Sequence, residues 1–352
     1  MSGTGNHGWK VLSGSDHWKD LLEPLDSDLR RYLIHYGTMI EPVGDAFINE
    51  PASKNVGLPR YARRNLFQNT GLVKGNPFKY EVTKYFYAPS QLSLDALGYT
   101  LSESNWIGYV AVATDEGKAA LGRRDILVVW RGTIRPFEWI TNIIFLFIRE
   151  EVARLVELYK DEEISITVTG HSLGSSMATL NATDLAFNPI NNNKDIPITA
   201  FLYASPKVGD ENFKNAISNQ QNLRVLRISD VNDPVPLVPP YGWGVGETEE
   251  SKIDYVDVGV GLAIESKKSN YLKPEGLNYH DLMLYLHGID LYQTPEGAFE
   301  RKGDFDLAKV NKYQDALKDE NRIPIAWFNI KDKGMVQQDD GNYILDDHEP
   351  DE

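Results

Sequence analysis

The sequence predicts an α/β fold with a mainly parallel central sheet flanked by helices. Apolar, β-branched runs at Asp125 to Arg131, Ile164 to Thr169, Ile198 to Ala204 and Leu223 to Ile228 read as strands. Helical spacing fills the gaps between them, at Glu150 to Lys160, in the residues after Gly174, and near Glu211 to Ser218. Strand and helix in alternation is the pattern of parallel crossovers. The third observation is the run I-S-I-T-V-T-G-H-S-L-G, Ile164 to Gly174, which stops at two glycines bracketing one serine.

That run places Ser172 in a tight turn from strand to helix. Gly170 and Gly174 are needed because the neighbouring backbone comes close and a Cβ would clash. The turn holds the hydroxyl proud of the sheet edge. The amide of Leu173, at the first turn of the following helix, points where an oxyanion would form and is helped by the helix dipole. A bare G-x-S-x-G arises by chance in roughly one chain in ten of this length, at a glycine frequency near 7%. The strand before it and the helix after it are what give it meaning here.

The remaining elements support this reading. Residues S-D-H-W-K-D-L-L-E-P read as a short helix broken at Pro24. A longer helix then starts near Asp26 or Ser27, with Leu29, Tyr32, Leu33 and Tyr36 on one face. Residues 52–75 read as loop and short helix. Tyr80 to Tyr87 and Trp106 to Thr114 read as strands, the second ending in a D-E-G turn. Asp125 to Arg131 is almost continuously apolar, as in strands buried on both faces. It ends at Gly132-Thr133, where a backbone amide and a hydroxyl together suit a second oxyanion donor; a plain turn is the alternative. Ile140, Ile143, Ile144 and Phe147 share a helical face, which suits either a mobile lid touching acyl chains or a core helix. Val152, Leu155, Val156 and Tyr159 then point inward on an amphipathic helix leading to the serine strand.

Composition excludes several functions. The 352 residues are 41% hydrophobic, enough for a substantial core. Lys and Arg number 36 against 51 Asp and Glu, and a net charge of −15 repels nucleic acid. With no cysteine there are no disulfides, thiolate metal sites or cysteine nucleophiles. The apolar cluster Ile143 to Ile148 is far short of the roughly 20 residues that span a bilayer, so an integral membrane protein is not expected. The amino terminus shows neither a signal-peptide nor a transit-peptide pattern, and the cytoplasm is the expected location. His17 and His35 lack companions for a metal site and read as packing or surface residues.

A serine hydroxyl needs a base, and the base needs an acid, following in the order Ser, Asp, His. Asp230 and Asp233, in S-D-V-N-D-P-V-P, are the acid candidates. Beyond them only His280, His287 and His348 remain. His348 sits in the acidic tail, expected to be mobile and solvated. His280 and His287 are two helical turns apart, about 10 Å, so they cannot both be the base. His280 opens the helix, nearer a loop end, and is the choice.

W-R-G-T, G-H-S-L-G, S-P-K-V-G-D, N-D-P-V-P and Y-H-D-L-x-x-Y-L-H-G, in that order, resemble the class 3 lipases. D-H-W-K-D-L-L-E-P-L-D, N-W-I-G-Y-V-A-V-A-T and L-G-R-R-D-I resemble the plant class II phospholipase A1 group within them. The resemblance runs from about Trp18 to Gly341. It implies an α/β-hydrolase fold, no metal or organic cofactor, and hydrolysis of the sn-1 acyl ester of glycerophospholipids at a membrane or micelle surface. Carried over by motif, the nucleophile falls on Ser172, the acid on Asp233 and the base on His280, with Thr133 and Leu173 at the oxyanion positions. The expected organisation is an N-terminal helical and loop region over residues 1–75, a catalytic domain over 76–330 and an acidic extension over 331–352. One departure stands out: after Glu138-Trp139 a block of several dozen residues of the family pattern is missing.

Overall fold

The computed structural model describes residues 7–88, 105–132, 142–190, 193, 195–240, 243–244 and 252–351. Its centre is a seven-stranded sheet. The strands are β1 (Tyr80–Ala88), β2 (Asn105–Ala113), β3 (Arg124–Trp130), β4 (Ile164–His171), β5 (Ile198–Tyr203), β6 (Leu223–Asp230) and an edge strand, Val260–Ile264, in that spatial order. The first three pair antiparallel, and β3 through the edge strand run parallel. Parallel strands need crossovers, and the chain supplies helices for them. Every residue of β2, β3 and β5 is buried, as a sheet covered on both faces requires.

Alternate strand residues face two separate cores. On one side Leu127, Val129, Phe201, Tyr203, Leu226 and Ile228 meet Leu29, Leu33 and Tyr36 of a helix at Ser27–Thr38. The helix Leu282–Asp290 packs there too, through Leu284 and Leu286. On the other side Ile126, Val128, Ile166 and Val168 meet the helices Asn142–Leu158 and Leu173–Phe187. Beneath the first core lies a charge network. Arg123 and Asp125, both fully buried, are surrounded by Tyr32, Tyr36, Tyr80, Ser165 and Thr167, whose hydroxyls complete their hydrogen bonds.

Four local expectations give way. The helix expected over S-D-H-W-K-D-L-L-E does not form; a single turn at Trp9–Leu12 precedes a series of turns in which His17, Trp18 and Asp20 take positive φ. The buried Trp18 ring, donating from Nε1 to Leu12 O at 2.9 Å, outweighs local helix propensity. The D-E-G segment is not a turn but the start of a helix, Asp115–Leu121, capped by the Thr114 hydroxyl on Gly117 N. Gly117 is required because a Cβ would lie 2.0 Å from Lys79 O.

The apolar stretch after Asn142 continues into the next helix without a break. Ile144 and Ile148 join Val152 and Leu155 on its buried face, while Leu146 and Phe147 are 55% and 50% exposed. Phe147 thus departs from the face predicted for it, and Ile140 lies outside the described residues.

The acidic tail is docked rather than solvated. His348 Nδ1 donates to Pro59 O at 2.6 Å, and Asp347 is buried against Asn55. Glu349 accepts from Ala62 N and Asn65 Nδ2, and Asp351 accepts from Arg63 N. Arg63 and Arg64 supply the opposing charge that the tail's composition alone does not reveal, and Arg60 donates to Asp347 O.

Candidate active site

β4 ends at the sheet's carboxyl edge, and Ser172 follows it with φ 59° and ψ −133°, a conformation that costs a non-glycine residue strain. The surroundings leave no alternative path. A Cβ on Gly170 would lie 2.4 Å from Gly174 O, and one on Gly174 would lie 2.6 Å from Trp130 O. Ser172 N donates to Tyr203 O at 3.0 Å, and Ser175 Oγ sits 2.6 Å from Gly170 O, pinning the turn from both sides.

Three predicted residues come together here. Ser172 Oγ is 2.8 Å from His280 Nε2, and His280 Nδ1 is 2.8 Å from Asp233 Oδ2. With Nδ1 protonated and donating to the carboxylate, Nε2 is left to accept from the serine hydroxyl. Asp233 sits in the loop after β6 with its side chain buried, and its Oδ1 accepts from Val235 N at 2.9 Å. Burial pushes the Asp233 carboxyl up. The hydrogen bonds from His280, Tyr285 and Val235 N outweigh it and hold the group below its ordinary value.

The other candidates are elsewhere. Asp230 Oδ2 accepts from Ser266 N at 2.9 Å and its Oδ1 from Asn232 N, tying the loop to the segment after the edge strand. His287 is buried with Nε2 2.7 Å from Ser269 Oγ, and burial pulls its pKa down to about 3. His35 is held between the rings of Tyr36, Phe78 and Tyr80, and burial lowers it likewise to about 3. Leu173 opens its helix, so its amide belongs to the helix's N-terminal turn. Thr133 lies outside the described residues. Gly132, just before it, passes so near the elbow that a Cβ would lie 2.9 Å from His171 O.

Two residues of the site are not among those predicted. Tyr285 donates to Asp233 Oδ2 at 2.7 Å. Nothing in L-M-L-Y-L separates it from the apolar face around it, except that a buried tyrosine needs a partner. His171, within G-H-S-L-G, lies with its ring centroid 4.8 Å from that of His280. Burial and the neighbouring imidazole lower its pKa to about 3, against the opposing pull of Asp233 and a hydrogen bond with the His280 backbone. His171 is therefore a neutral ring beside His280. Among the described residues no three His, Cys, Asp or Glu side chains gather as a metal site would require, and no helix is long and apolar enough to cross a membrane.

A mainly parallel sheet whose middle strand breaks at a serine into a helix, with an acid loop two strands on and an imidazole between them, is the α/β-hydrolase arrangement. The sequence profile of the class 3 lipases matches residues 145–243. The chain is 40% identical to phospholipase A1-IIalpha of Arabidopsis thaliana over 402 residues, covering 97% of this chain and 92% of that one. It is 39% identical to phospholipase A1-II 4 of Oryza sativa subsp. japonica over 391 residues, covering 98% and 96%. The Rhizomucor miehei lipase propeptide complex overlays with a TM-score of 0.42 at 18% identity, over 68% of this chain and 69% of that one. The chain belongs to the class 3 lipase family, in its plant phospholipase A1-II group. The 402 residues aligned with the Arabidopsis relative exceed the 352 of this chain, so that relative carries residues with no counterpart here. The break predicted after Trp139 lies outside the described residues.

Proposed function

We propose that the protein hydrolyses the sn-1 acyl ester of glycerophospholipids through an acyl-enzyme on Ser172, with His280 as base and Asp233 as its orienting acid. The observation that carries this is the continuous line of hydrogen bonds from Ser172 Oγ through both nitrogens of His280 to a buried carboxylate. His280 takes the hydroxyl proton as Ser172 Oγ attacks the ester carbonyl, and the Leu173 amide stabilises the oxyanion, with Thr133 as its partner donor. Collapse expels the lysophospholipid alkoxide, which takes the proton from His280. A water, deprotonated by His280, then attacks the acyl-enzyme, and fatty acid leaves as Ser172 recovers its proton.

Hydrolysis of acyl lipids rests on the family; the glycerophospholipid head group and the sn-1 position rest on the names of the relatives and the sequence resemblance. Ser172→Ala is expected to abolish fatty-acid release from phosphatidylcholine, and an active Ser172→Ala enzyme would refute the assignment. Comparing phosphatidylcholine, monogalactosyl lipid and triacylglycerol tests the head group. Faster turnover of either neutral lipid would make this a general lipase or galactolipase.

A second reading, a lipid- or protein-binding relic without turnover, is motivated by the longer relatives. A fluorophosphonate probe decides between them, because only a base aligned on Ser172 promotes labelling. The proposal extends to a cytoplasmic enzyme meeting lipid at a surface; accumulation of a fluorescent fusion in an organelle lumen would overturn that part.

A further inference from the structure

His280 does not belong to a regular element. It lies on the turn of residues 278–281, just ahead of the helix Leu282–Asp290. Bonds within the turn fix its shape. Asp281 N donates to Asn278 O at 3.1 Å, His280 N donates to Asn278 Oδ1 at 3.2 Å, and Asp281 caps the helix through Met283 N and Leu284 N. They leave open how the turn is held against Ser172 from the side away from the helix.

Gln314 supplies that hold. Its Oε1 accepts from Asn278 N at 3.0 Å, its Nε2 is 3.4 Å from Asn278 O, and its side chain also hydrogen-bonds to Asp281. One carboxamide therefore pairs with the backbone N–H and C=O of a single residue on the histidine turn, much as a facing strand would. The segment presenting it is firmly seated. Lys312 Nζ lies between Glu41 and Asp45 at 2.7 and 2.6 Å, with all three side chains buried, and Lys309 reaches Glu41 at 2.7 Å. Asn311 Oδ1 accepts from Ala316 N and Leu317 N, closing the loop around Gln314, while Val310, Ala316 and Leu317 are buried.

The geometry points to Gln314 as a positioning residue for acyl transfer: it anchors the Asn278 peptide, and with it His280, at the distance that keeps Nε2 against Ser172 Oγ. This rests on the reading of His280 as the base. A base must be held to within about half an ångström, and a misplacement of about 1 Å costs on the order of a hundredfold in rate. The segment that does the holding comes after every member of the Ser, Asp, His set and outside residues 145–243 of the family match. All three of those residues can be intact and the site still be slow.

The test uses the full chain with Gln314→Leu, which keeps bulk and removes all three bonds, and Gln314→Glu, which keeps the acceptor for Asn278 N. Gln314→Leu is expected to lower kcat about tenfold with KM changed less than about twofold, and to slow fluorophosphonate labelling in parallel. Gln314→Glu is expected to recover only part of kcat, because its carboxylate keeps the bond from Asn278 N but meets Asn278 O and Asp281 with no proton to donate. A purely structural role would lower activity only through the fraction folded, leaving kcat and the labelling rate per folded molecule at the parent's values. Should Gln314→Leu fold poorly, Gln314→Met, unbranched and without the carboxamide, takes its place. Parental kcat and labelling in the folded Gln314→Leu or Gln314→Met enzyme would overturn the inference. Failure of the underlying reading would be seen separately, as turnover by Ser172→Ala.

Discussion

Tyr285 and His280 share one oxygen: Asp233 Oδ2 receives the phenol at 2.7 Å and the imidazole N–H at 2.8 Å. The tyrosine fixes the carboxylate from the helix side, so that the carboxylate can fix the imidazole. Tyr285→Phe keeps the ring packing and deletes one hydrogen bond to a charged acceptor, worth about 1.5–3 kcal/mol. Expected are a loss of stability of that order in urea unfolding at pH 7 and a fall of about tenfold in kcat. Because the folded pKa of Asp233 lies below its unfolded value, its stabilisation is complete above the unfolded pKa and is lost as the pH falls through the folded one. Tyr285→Phe removes one of the bonds that lower the folded value, so the variant's deficit against the parent should shrink as the pH falls through that value.

The backbone at Ser172, with φ 59°, predicts that two inactive variants will differ in stability. Ser172→Ala keeps a Cβ in a strained conformation, while Ser172→Gly releases it. Both should fail to label with a fluorophosphonate. In thermal unfolding Ser172→Gly is expected to exceed Ser172→Ala by about 1 kcal/mol, and equal midpoints would mean that the elbow is unstrained.

Gly174→Ala tests the same turn from the other side. Its Cβ would press on Trp130 O and Arg131 C, at 2.6 and 2.8 Å, both main-chain atoms that cannot swing away. A cost of about 1–3 kcal/mol is expected in denaturant unfolding. Displacement of β3 against the elbow should depress kcat well beyond the fraction of protein unfolded. Parental activity in a stable Gly174→Ala enzyme would disprove the close approach.

His35 and His287 are buried and neutral, each with a pKa of about 3 against an ordinary value of 6.5. Between those values the unfolded chain binds the protons that the folded one refuses, so stability falls as the pH drops below 6.5. Each histidine contributes up to about 1.4 kcal/mol per pH unit in that window. His35→Phe should therefore give a shallower decline in urea stability between pH 6.5 and 4.5 than the parent; an unchanged slope would contradict the burial. Above pH 7 the slopes should coincide.

The sheet was legible because its strands are dense in β-branched residues and its crossovers in helical spacing; the helix Glu211–Ser218 lies where the periodicity puts it. Ser172, Asp233 and His280 were legible because chain order and scarcity left few alternatives: only three histidines follow the aspartates. What escaped depends on partners distant in sequence. Trp18 overrides its local helix propensity through a core contact, and Tyr285 is indistinguishable from its apolar neighbours until Asp233 is seen beside it. The tail looked solvated because its charge is visible in the sequence while the arginines opposing it, nearly three hundred positions earlier, are not adjacent to it.

The docked tail sets an order of events. Glu349 and Asp351 meet the amides of Ala62 and Arg63 across 287 and 288 positions. During translation that stretch must emerge from the ribosome and wait, its basic residues unopposed, until nearly three hundred further residues have been made. Closing so long a loop is slow compared with local helix formation. The native arrangement around Arg63 is therefore reached only once Asp351 has been made, and a nascent chain halted before residue 347 should leave these arginines open to whatever acidic surface it meets first.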